Sequence, residues 1–269
     1  MQKPPAYLGI IIALTVLLTW LISTVLLMRW EIGWANPILY CFILLQMHLY
    51  TGLFITAHDA MHGTVSPNRI VNNAIGYIAT FFYAAFWYGA LYTKHHQHHK
   101  HVHTADDPDY HEGNFFTWYF TFIKNYLSVW QVVFMAVLFN ILKLWIPQAN
   151  LLLFWVLPSL LSTVQLFYFG TYLPHKGEHA NQHQSRTQAK NHLLAFISCY
   201  FFGYHYEHHD SPGTPWWLLW RMKKQWACRS LKSNYHHKLQ ISFSEIRRRA
   251  IFEPGHNIWT IQWVKKAFY

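Results

Sequence analysis

Four apolar stretches of about twenty residues each constrain the fold of this chain more than any other feature of its sequence. They occupy residues 8–28, 37–57, 126–146 and 151–173. Inside a bilayer only helices and closed barrels satisfy every backbone polar group, and about 20 apolar residues are needed for a helix to cross. The charged fraction of 12% is about half that of a soluble domain. The sequence therefore predicts an all-α integral membrane protein with four transmembrane helices.

Two further apolar stretches do not fit a simple crossing. Residues 192–203 are too short, and residues 74–92 are long enough but rich in Phe, Tyr and Trp. If the histidines on either side of residues 74–92 serve one metal centre, the chain between them must cross the membrane an even number of times. We therefore expect this stretch to dip into the membrane, or lie along its surface, and return. Lys and Arg concentrate on the histidine-bearing side, which predicts a histidine-rich cap and both termini in the cytoplasm.

Composition changes near residue 225. We predict one membrane domain over residues 1–224 and a basic tail over residues 225–269, which contains Arg247-Arg248-Arg249 and is expected to be interfacial. The net charge of +10 is attributed to contact with an anionic membrane face and not to nucleic acid. Three cysteines without a C-x-x-C pair predict neither a disulfide framework nor a thiolate metal site.

Histidine is the unusual residue type, with 20 copies. Eight of them form one H-x-x-x-H and two H-x-x-H-H patterns, whose offsets of three and four place the imidazoles on one helix face. Packed imidazoles repel one another when protonated and need partners when neutral, and metal ions meet both conditions. The candidate ligands in these patterns are His58, His62, His95, His98, His99, His205, His208 and His209.

The number of histidines bears on which metal is bound. All-nitrogen ligation suits zinc, copper, nickel or iron, but zinc takes about four ligands, so eight histidines indicate two ions with open positions. Non-haem iron with open positions is the usual arrangement for activating O₂. His175, at the predicted end of the fourth span, is a candidate ninth ligand because it lies at the same depth as the clusters.

Carboxylates are expected behind the imidazoles, where they fix tautomers. The candidates are Asp59, Glu207, Asp210 and the acidic run 106–109, with Asp109 among them. The pair Trp216 and Trp217 follows the third cluster. We interpret these tryptophans as interfacial anchors, with the wall of an apolar substrate pocket as the alternative.

Several strings besides the histidine patterns are distinctive. They are HDAMHG at 58–63, DPDY at 107–110, QLFYFGT at 165–171, LPHK at 173–176, FGYH at 202–205, EHH at 207–209 and PWW at 215–217. The histidine patterns resemble those of the membrane fatty-acid desaturase and hydroxylase superfamily. The strings resemble bacterial and cyanobacterial β-carotene ketolases. Val102-His103 departs from that resemblance, because Pro-Gly is expected there, and the tail is longer than the family core needs.

The resemblance implies a reaction and its requirements. The C4 methylene of a β-ionone ring would be hydroxylated twice by two Fe²⁺ ions, O₂ and external electrons, and the geminal diol would lose water to give a ketone. β-Carotene would become echinenone and then canthaxanthin, and hydroxylated rings would lead toward astaxanthin. The resemblance also implies reduced ferredoxin or a similar donor, a carotenoid dissolved in the lipid bilayer, His175 as a ligand, and a bacterial or cyanobacterial cytoplasmic or thylakoid membrane.

Other functions stay open at this point. Within the superfamily they are carotenoid 3-hydroxylation and fatty-acyl desaturation or hydroxylation. A zinc-dependent membrane hydrolase is the alternative from another class, and a metal-binding or transport protein is the non-catalytic one, although histidines gathered on one side do not line a conduit. Of the remaining histidines, we predict outer contacts for His101, His103 and His111, and structural or surface roles for His48, His179, His183, His192, His236, His237 and His256.

Overall fold

The computed structural model describes residues 5, 7–188 and 191–223. Over these residues the chain forms helices, turns and loops, with no β-strand. The predicted all-α class is therefore confirmed. The predicted tail, with Arg247-Arg248-Arg249 and the histidines His236, His237 and His256, lies outside the described residues.

Within the part of the chain that the structure describes, three helices are long and apolar enough to cross a membrane. They are α1 (Leu8–Leu27), α2 (Ile38–Met61) and α7 (Gln148–His175), and the number of candidate spans rises to five if two bent helix pairs each count as one. These three helices agree with the first, second and fourth predicted spans. The helix α7 contains two π-helical stretches, Leu152–Val156 and Phe167–Tyr172.

The first bent pair contains the stretch expected to dip and return. The helices α3 (Arg69–Ala84) and α4 (Tyr88–His101) meet at 99°. Ala85 ends α3 in the left-handed region, at φ 53°, which turns the chain sharply before α4 begins. The stretch 74–92 is therefore divided between two helices and does not form one straight span.

The second bent pair differs from the prediction for residues 126–146. The helices α5 (Phe115–Tyr126) and α6 (Val129–Leu142) meet at 84°. The Ser128 hydroxyl accepts the backbone N–H of Gln131 and starts α6 in its new direction. The helix α6 has 14 residues, shorter than the about 20 that a straight span needs. It buries only Gln131, so it packs loosely on the bundle.

The helix α2 lies at the centre of the bundle and carries the first histidine cluster at its end. All of its residues from Leu49 to Met61 are buried except Phe54, which is half-buried. The neighbours of α2 include α1, α3 and α7. Asn150, at the start of α7, donates from Nδ2 to the carbonyls of Leu27 and Trp30, both at 2.8 Å, and so completes the end of α1. Because α2 is enclosed, its last turn is held in a fixed position.

Two short helices complete the described chain. Residues 192–203, predicted to be too short to cross, contain α8 (His192–Cys199). The helix α9 (His205–Asp210) carries the third histidine cluster. The described residues up to Trp220 belong to one compact unit.

Candidate metal centre

Nine histidines come together in two adjoining groups, which we name the five-histidine group and the four-histidine group. Within each group the ring nitrogens that could bind a metal lie within 4.8 Å of one another. All nine residues are those predicted as ligands from the sequence, with His175 among them. The five-histidine group is His58, His62, His95, His99 and His208, and the four-histidine group is His98, His175, His205 and His209.

Helical offsets explain how the histidines divide between the groups. In α4 the pair at offset four, His95 and His99, joins the five-histidine group, whereas His98 joins the other group. In α9 the pair at offset four, His205 and His209, joins the four-histidine group, and the residue between them joins the first. Residues four apart lie one above the other on a helix, so each offset-four pair faces one group.

Hydrogen bonds at Nδ1 fix the tautomers of two histidines in the four-histidine group. His98 Nδ1–H donates to the Asp107 carboxylate at 2.9 Å, and His175 Nδ1–H donates to the Gln184 carbonyl at 2.8 Å. A neutral imidazole has a single N–H. The Nε2 atoms of His98 and His175 therefore carry lone pairs directed toward the other members of the group.

The Nε2 atoms of this group lie at hydrogen-bonding distance from one another, and their contacts outnumber the N–H groups that neutral rings can supply. The distances are 3.2 Å between His98 and His209, 2.8 Å between His175 and His205, and 2.9 Å between His205 and His209. When all four rings are neutral, which is the form that binds metals, only His205 and His209 have an N–H to donate at Nε2, so two donors face three contacts. A cation that accepts all four lone pairs satisfies every ring at once, so this donor set fits a metal ion.

The charge state of α9 suits metal binding. Burial lowers the pKa of His205, His208 and His209, and the neighbouring imidazoles lower the pKa of each further. These rings are therefore neutral at neutral pH, and neutral imidazole is the form that binds metals.

Asp107 is the carboxylate that supports the centre most directly. It is buried and accepts three N–H groups, from His98 Nδ1 and from the backbones of His103 and Asp109, at 2.9–3.0 Å. Asp109, which the sequence singled out, lies 3.8 Å from His98 Nδ1 and accepts the Tyr126 hydroxyl instead. The loop turns the carboxylates of Asp107 and Asp109 in different directions. The acidic run in the sequence could not reveal which of them faces His98.

The other predicted acidic residues lie near the ligands and contact other groups. The Asp59 carboxylate lies 3.8 Å from His58 Nδ1 and accepts the backbone N–H of Trp216 at 3.2 Å. Glu207 accepts the hydroxyl of Thr187. Asp210 lies 3.6 Å from Nε2 of His183, a residue predicted to be structural or at the surface.

Trp216 and Trp217 do not line the apolar cavity that lies beside His95. The ring of Trp216 contacts Tyr200 at a centroid distance of 5.0 Å, and Phe196 and Phe201 lie beside it. The assignment of the two tryptophans to substrate binding stays a prediction.

His103 has a defined place behind the four-histidine group. Its Nε2–H donates to the carbonyl of His175 at 2.7 Å. Its backbone has φ 61°, in the left-handed region that favours glycine. The conformation therefore explains why glycine is the residue expected at this position from the resemblance, and why a histidine there is a departure. His96 points away, with Nδ1 bonded to the Tyr92 carbonyl at 2.9 Å.

A cavity of about 250 Å³ lies beside His95, and sequence reasoning missed it. No sequence motif marks this cavity, because the helices α2 to α7 each contribute only a few side chains to it. The abundance of aromatic residues in α3 and α5 was the available signal. Lining residues include Phe54, Tyr83, Leu91, Phe122, Gln131 and Thr163.

Apolar helices that lead to one buried and one partly buried histidine group define the class of this protein, and comparison with known proteins agrees. A family model described as fatty acid desaturase matches residues 32–147 and 114–238, which together cover more than half of the chain. The chain belongs to the fatty acid desaturase family. Among its relatives are β-carotene ketolases, which confirms the resemblance seen in the sequence strings.

Three relatives illustrate the similarity. The chain is 37% identical over 216 residues to a beta-carotene ketolase from Paracoccus sp. (strain PC1), covering 78% of this chain and 89% of that protein. It is 43% identical over 193 residues to beta-carotene 4-ketolase 3 of Haematococcus lacustris, covering 66% and 59%. It is 44% identical over 181 residues to zeaxanthin 4-ketolase of Chlamydomonas reinhardtii, covering 64% and 41%. The match thus covers between two-fifths and three-fifths of the two algal proteins. No solved structure matches the chain significantly.

Proposed function

We propose that this protein is a membrane di-iron oxygenase that oxidises the C4 methylene of β-ionone rings to a ketone. The observation that carries the proposal is the convergence of nine histidines in two groups beside an apolar cavity. Relatives named beta-carotene ketolase support this choice over 3-hydroxylation and acyl-chain oxidation. Two iron ions bound by these groups would supply the capacity to activate O₂.

The surrounding residues prepare the centre for that chemistry. Asp107 and the Gln184 carbonyl hold His98 and His175 in the tautomer that presents Nε2. The ring of Phe202 lies 4.7 Å from the ring of His58 and 5.6 Å from that of His208, centroid to centroid, and covers one side of the histidines. A dry, apolar cover limits the entry of water and strengthens electrostatic interactions within the site.

The cavity beside His95 suits the ring of a carotenoid. Its walls are mostly aromatic and aliphatic, and two of its residues, Phe120 and Leu160, are 66% and 58% exposed on the outer surface. In a membrane that surface faces lipid, so a substrate dissolved in the bilayer has a lateral route to His95. The hydroxyls of Tyr83 and Thr163, 3.0 Å apart, are polar groups within reach of an oxygen on the ring.

The reaction balances as two successive hydroxylations. In each round one O₂, two electrons and two protons replace a C4–H bond by C4–OH and release one water. The second round on the same carbon gives a geminal diol, which loses water to become the ketone. The sequence has no flavin, haem or nicotinamide motif, so the electrons come from an external donor such as reduced ferredoxin.

We also propose a topology for the membrane. The helices α1, α2 and α7 cross it, α5 and α6 together provide a fourth crossing, and α3 and α4 enter and return. The close approach of His62 Nε2 to His95 Nε2, at 2.6 Å, supports the return, because it joins residues on either side of α3. Residues 1–224 would form the oxygenase domain, with its histidines toward the cytoplasm and residues 225–269 as a basic interfacial tail.

Expression in cells that make β-carotene tests the function. We expect echinenone and canthaxanthin, identified by mass and by the red-shifted absorption of a conjugated ketone. Cells that make zeaxanthin test whether hydroxylated rings are accepted. A 3-hydroxylated product without ketone would show a hydroxylase. One zinc per purified chain, with no O₂ consumption, would favour the zinc-dependent hydrolase.

A further inference from the structure

A second apolar space lies along α6, near the C-terminal end of the helix, which is farther from the histidines. This distal cavity measures about 540 Å³. It lies between α6 and the helices α1, α3 and α7, and Arg29 and Ile146 stand at one end of it. Its lining includes Trp20, Phe82, Phe134, Leu138, Leu142 and Trp155.

We name the cavity beside His95 the proximal cavity. A third space shares wall residues with both the proximal and the distal cavity. This middle cavity, of about 300 Å³, shares Phe86, Tyr126 and Gln131 with the proximal cavity. It shares Ala85 and Phe134 with the distal cavity. The middle cavity therefore has walls in common with both of the others, and the candidate metal ligand His95 lines the proximal cavity.

One face of α6 contributes to the walls of all three cavities. Gln131, Phe134, Leu138 and Leu142 follow one another at offsets of three and four, so they lie on the same side of the helix. The eleven steps from Gln131 to Leu142 correspond to about 16 Å at the helical rise. Gln131 Nε2 donates to the Ala84 carbonyl at 2.5 Å and ties α6 to the corner between α3 and α4.

The loose packing of α6 leaves room that an apolar molecule must fill. Inside a membrane an unfilled gap forfeits dispersion contacts along its walls. The proximal cavity, at about 250 Å³, is smaller than the about 300–1,000 Å³ of sites for drug-sized ligands. A carotenoid with two rings joined by a long polyene therefore cannot fit into the proximal cavity alone.

We infer that the middle and distal cavities hold the polyene and the second ring of the carotenoid whose first ring lies beside His95. This inference rests on the proposed function and extends it. It implies that the face of α6 that lines the cavities determines whether long substrates are preferred to short ones. The rod shape of a conjugated polyene matches the line of side chains on α6 that begins at Gln131, in the wall of the proximal cavity, and continues through Phe134, Leu138 and Leu142.

The test compares two tryptophan substitutions on α6. Leu138→Trp fills the distal cavity. Val137→Trp makes the same kind of change one residue away, at a position that is 53% exposed and lines none of the three cavities. Each variant receives β-carotene and a retinoid, which has one β-ionone ring and a much shorter polyene.

Two readouts separate this inference from the proposed function. The first is ketone formation, for which Leu138→Trp should lower turnover of β-carotene by about tenfold, as overpacking of a filled site would, and affect the retinoid much less. The second is the induced circular dichroism of β-carotene on the purified protein, which Leu138→Trp should abolish and Val137→Trp should retain. If the unsubstituted protein forms no ketone but Leu138→Trp still abolishes the induced signal, the result would support the groove and contradict the proposed oxidation.

Three results would overturn the inference. Equal losses with both substrates, in a variant whose unfolding temperature is unchanged, would mean that the distal cavity does not distinguish long from short substrates. Equal effects of Val137→Trp and Leu138→Trp would mean that the groove is not involved. Full β-carotene turnover and binding in Leu138→Trp would place the second ring elsewhere.

Discussion

Gly170→Ala tests whether close packing beside the histidines maintains the centre. Gly170 lies in the π-helical stretch Phe167–Tyr172 of α7. A Cβ at this position would stand 2.5 and 2.6 Å from ring atoms of Phe202. Ordinary van der Waals contact begins at 3.4 Å, so the ring must move by 3.4 − 2.5, or about 0.9 Å.

The displaced ring has little free space to enter. Phe202 contacts His58, His205 and His208, with ring centroids 4.7–5.6 Å apart. Overpacking of a core costs about 1–3 kcal/mol. A displacement of about 1 Å in an active site can lower the rate by about a hundredfold. We therefore expect Gly170→Ala to lower the unfolding temperature and the metal content, and to lower ketone formation by tenfold to about a hundredfold.

The assay measures three quantities on the purified variant: thermal unfolding in detergent, bound metal per chain, and ketone formed from β-carotene. Gly213→Ala is the matched control, because nothing lies within 4 Å of its added Cβ. Gly213→Ala should behave like the unsubstituted protein. If Gly170→Ala also does so in all three measurements, the argument that Phe202 transmits packing to the histidines is wrong.

Three further predictions concern the histidine groups. Asp107→Asn removes the charge behind His98 and should weaken metal binding by about 10–100-fold in a metal titration, and unchanged affinity would contradict the role given to this carboxylate. His99→Ala should abolish ketone formation while membrane insertion persists, whereas His96→Ala, outside both groups, should retain activity, so equal effects of the two would argue against the assignment. The third prediction concerns protein from which metal has been removed by a chelator. Because the pKa values of the α9 histidines are lowered in the folded state, the unfolded state binds protons first below about pH 6.5. The unfolding temperature should therefore fall as the pH falls. An unfolding temperature that rises as the pH falls would contradict this prediction.

Helical periodicity accounts for what the sequence predicted well. The histidines of α4 and α9 lie at offsets of three and four, which fix their direction regardless of the rest of the fold. Long apolar runs likewise gave the positions of α1, α2 and α7, since backbone polar groups force such runs into helices in a bilayer. These are local properties, so one sequence suffices to find them.

Features that depend on loops or on distant contacts were not predictable in the same way. The bend before α6 arises where Ser128 caps a new helix, but an isolated serine inside an apolar run does not announce a cap. Asp107 and Asp109 could be separated only by the turn that directs Asp107 toward His98. The proximal cavity combines side chains from six helices, so it requires the packed structure.

The division of α4 and α9 between the two histidine groups has a consequence for how the protein acquires metal. Each helix gives ligands to both groups. The helix α4 gives His95 and His99 to the five-histidine group and His98 to the four-histidine group. The helix α9 gives His208 to the five-histidine group and His205 and His209 to the four-histidine group. If each group binds one ion, the first ion to bind would order the helices that the second ion also needs, so the ordering entropy would be lost only once. Loading should be cooperative, with chains that carry a single ion scarce throughout a titration.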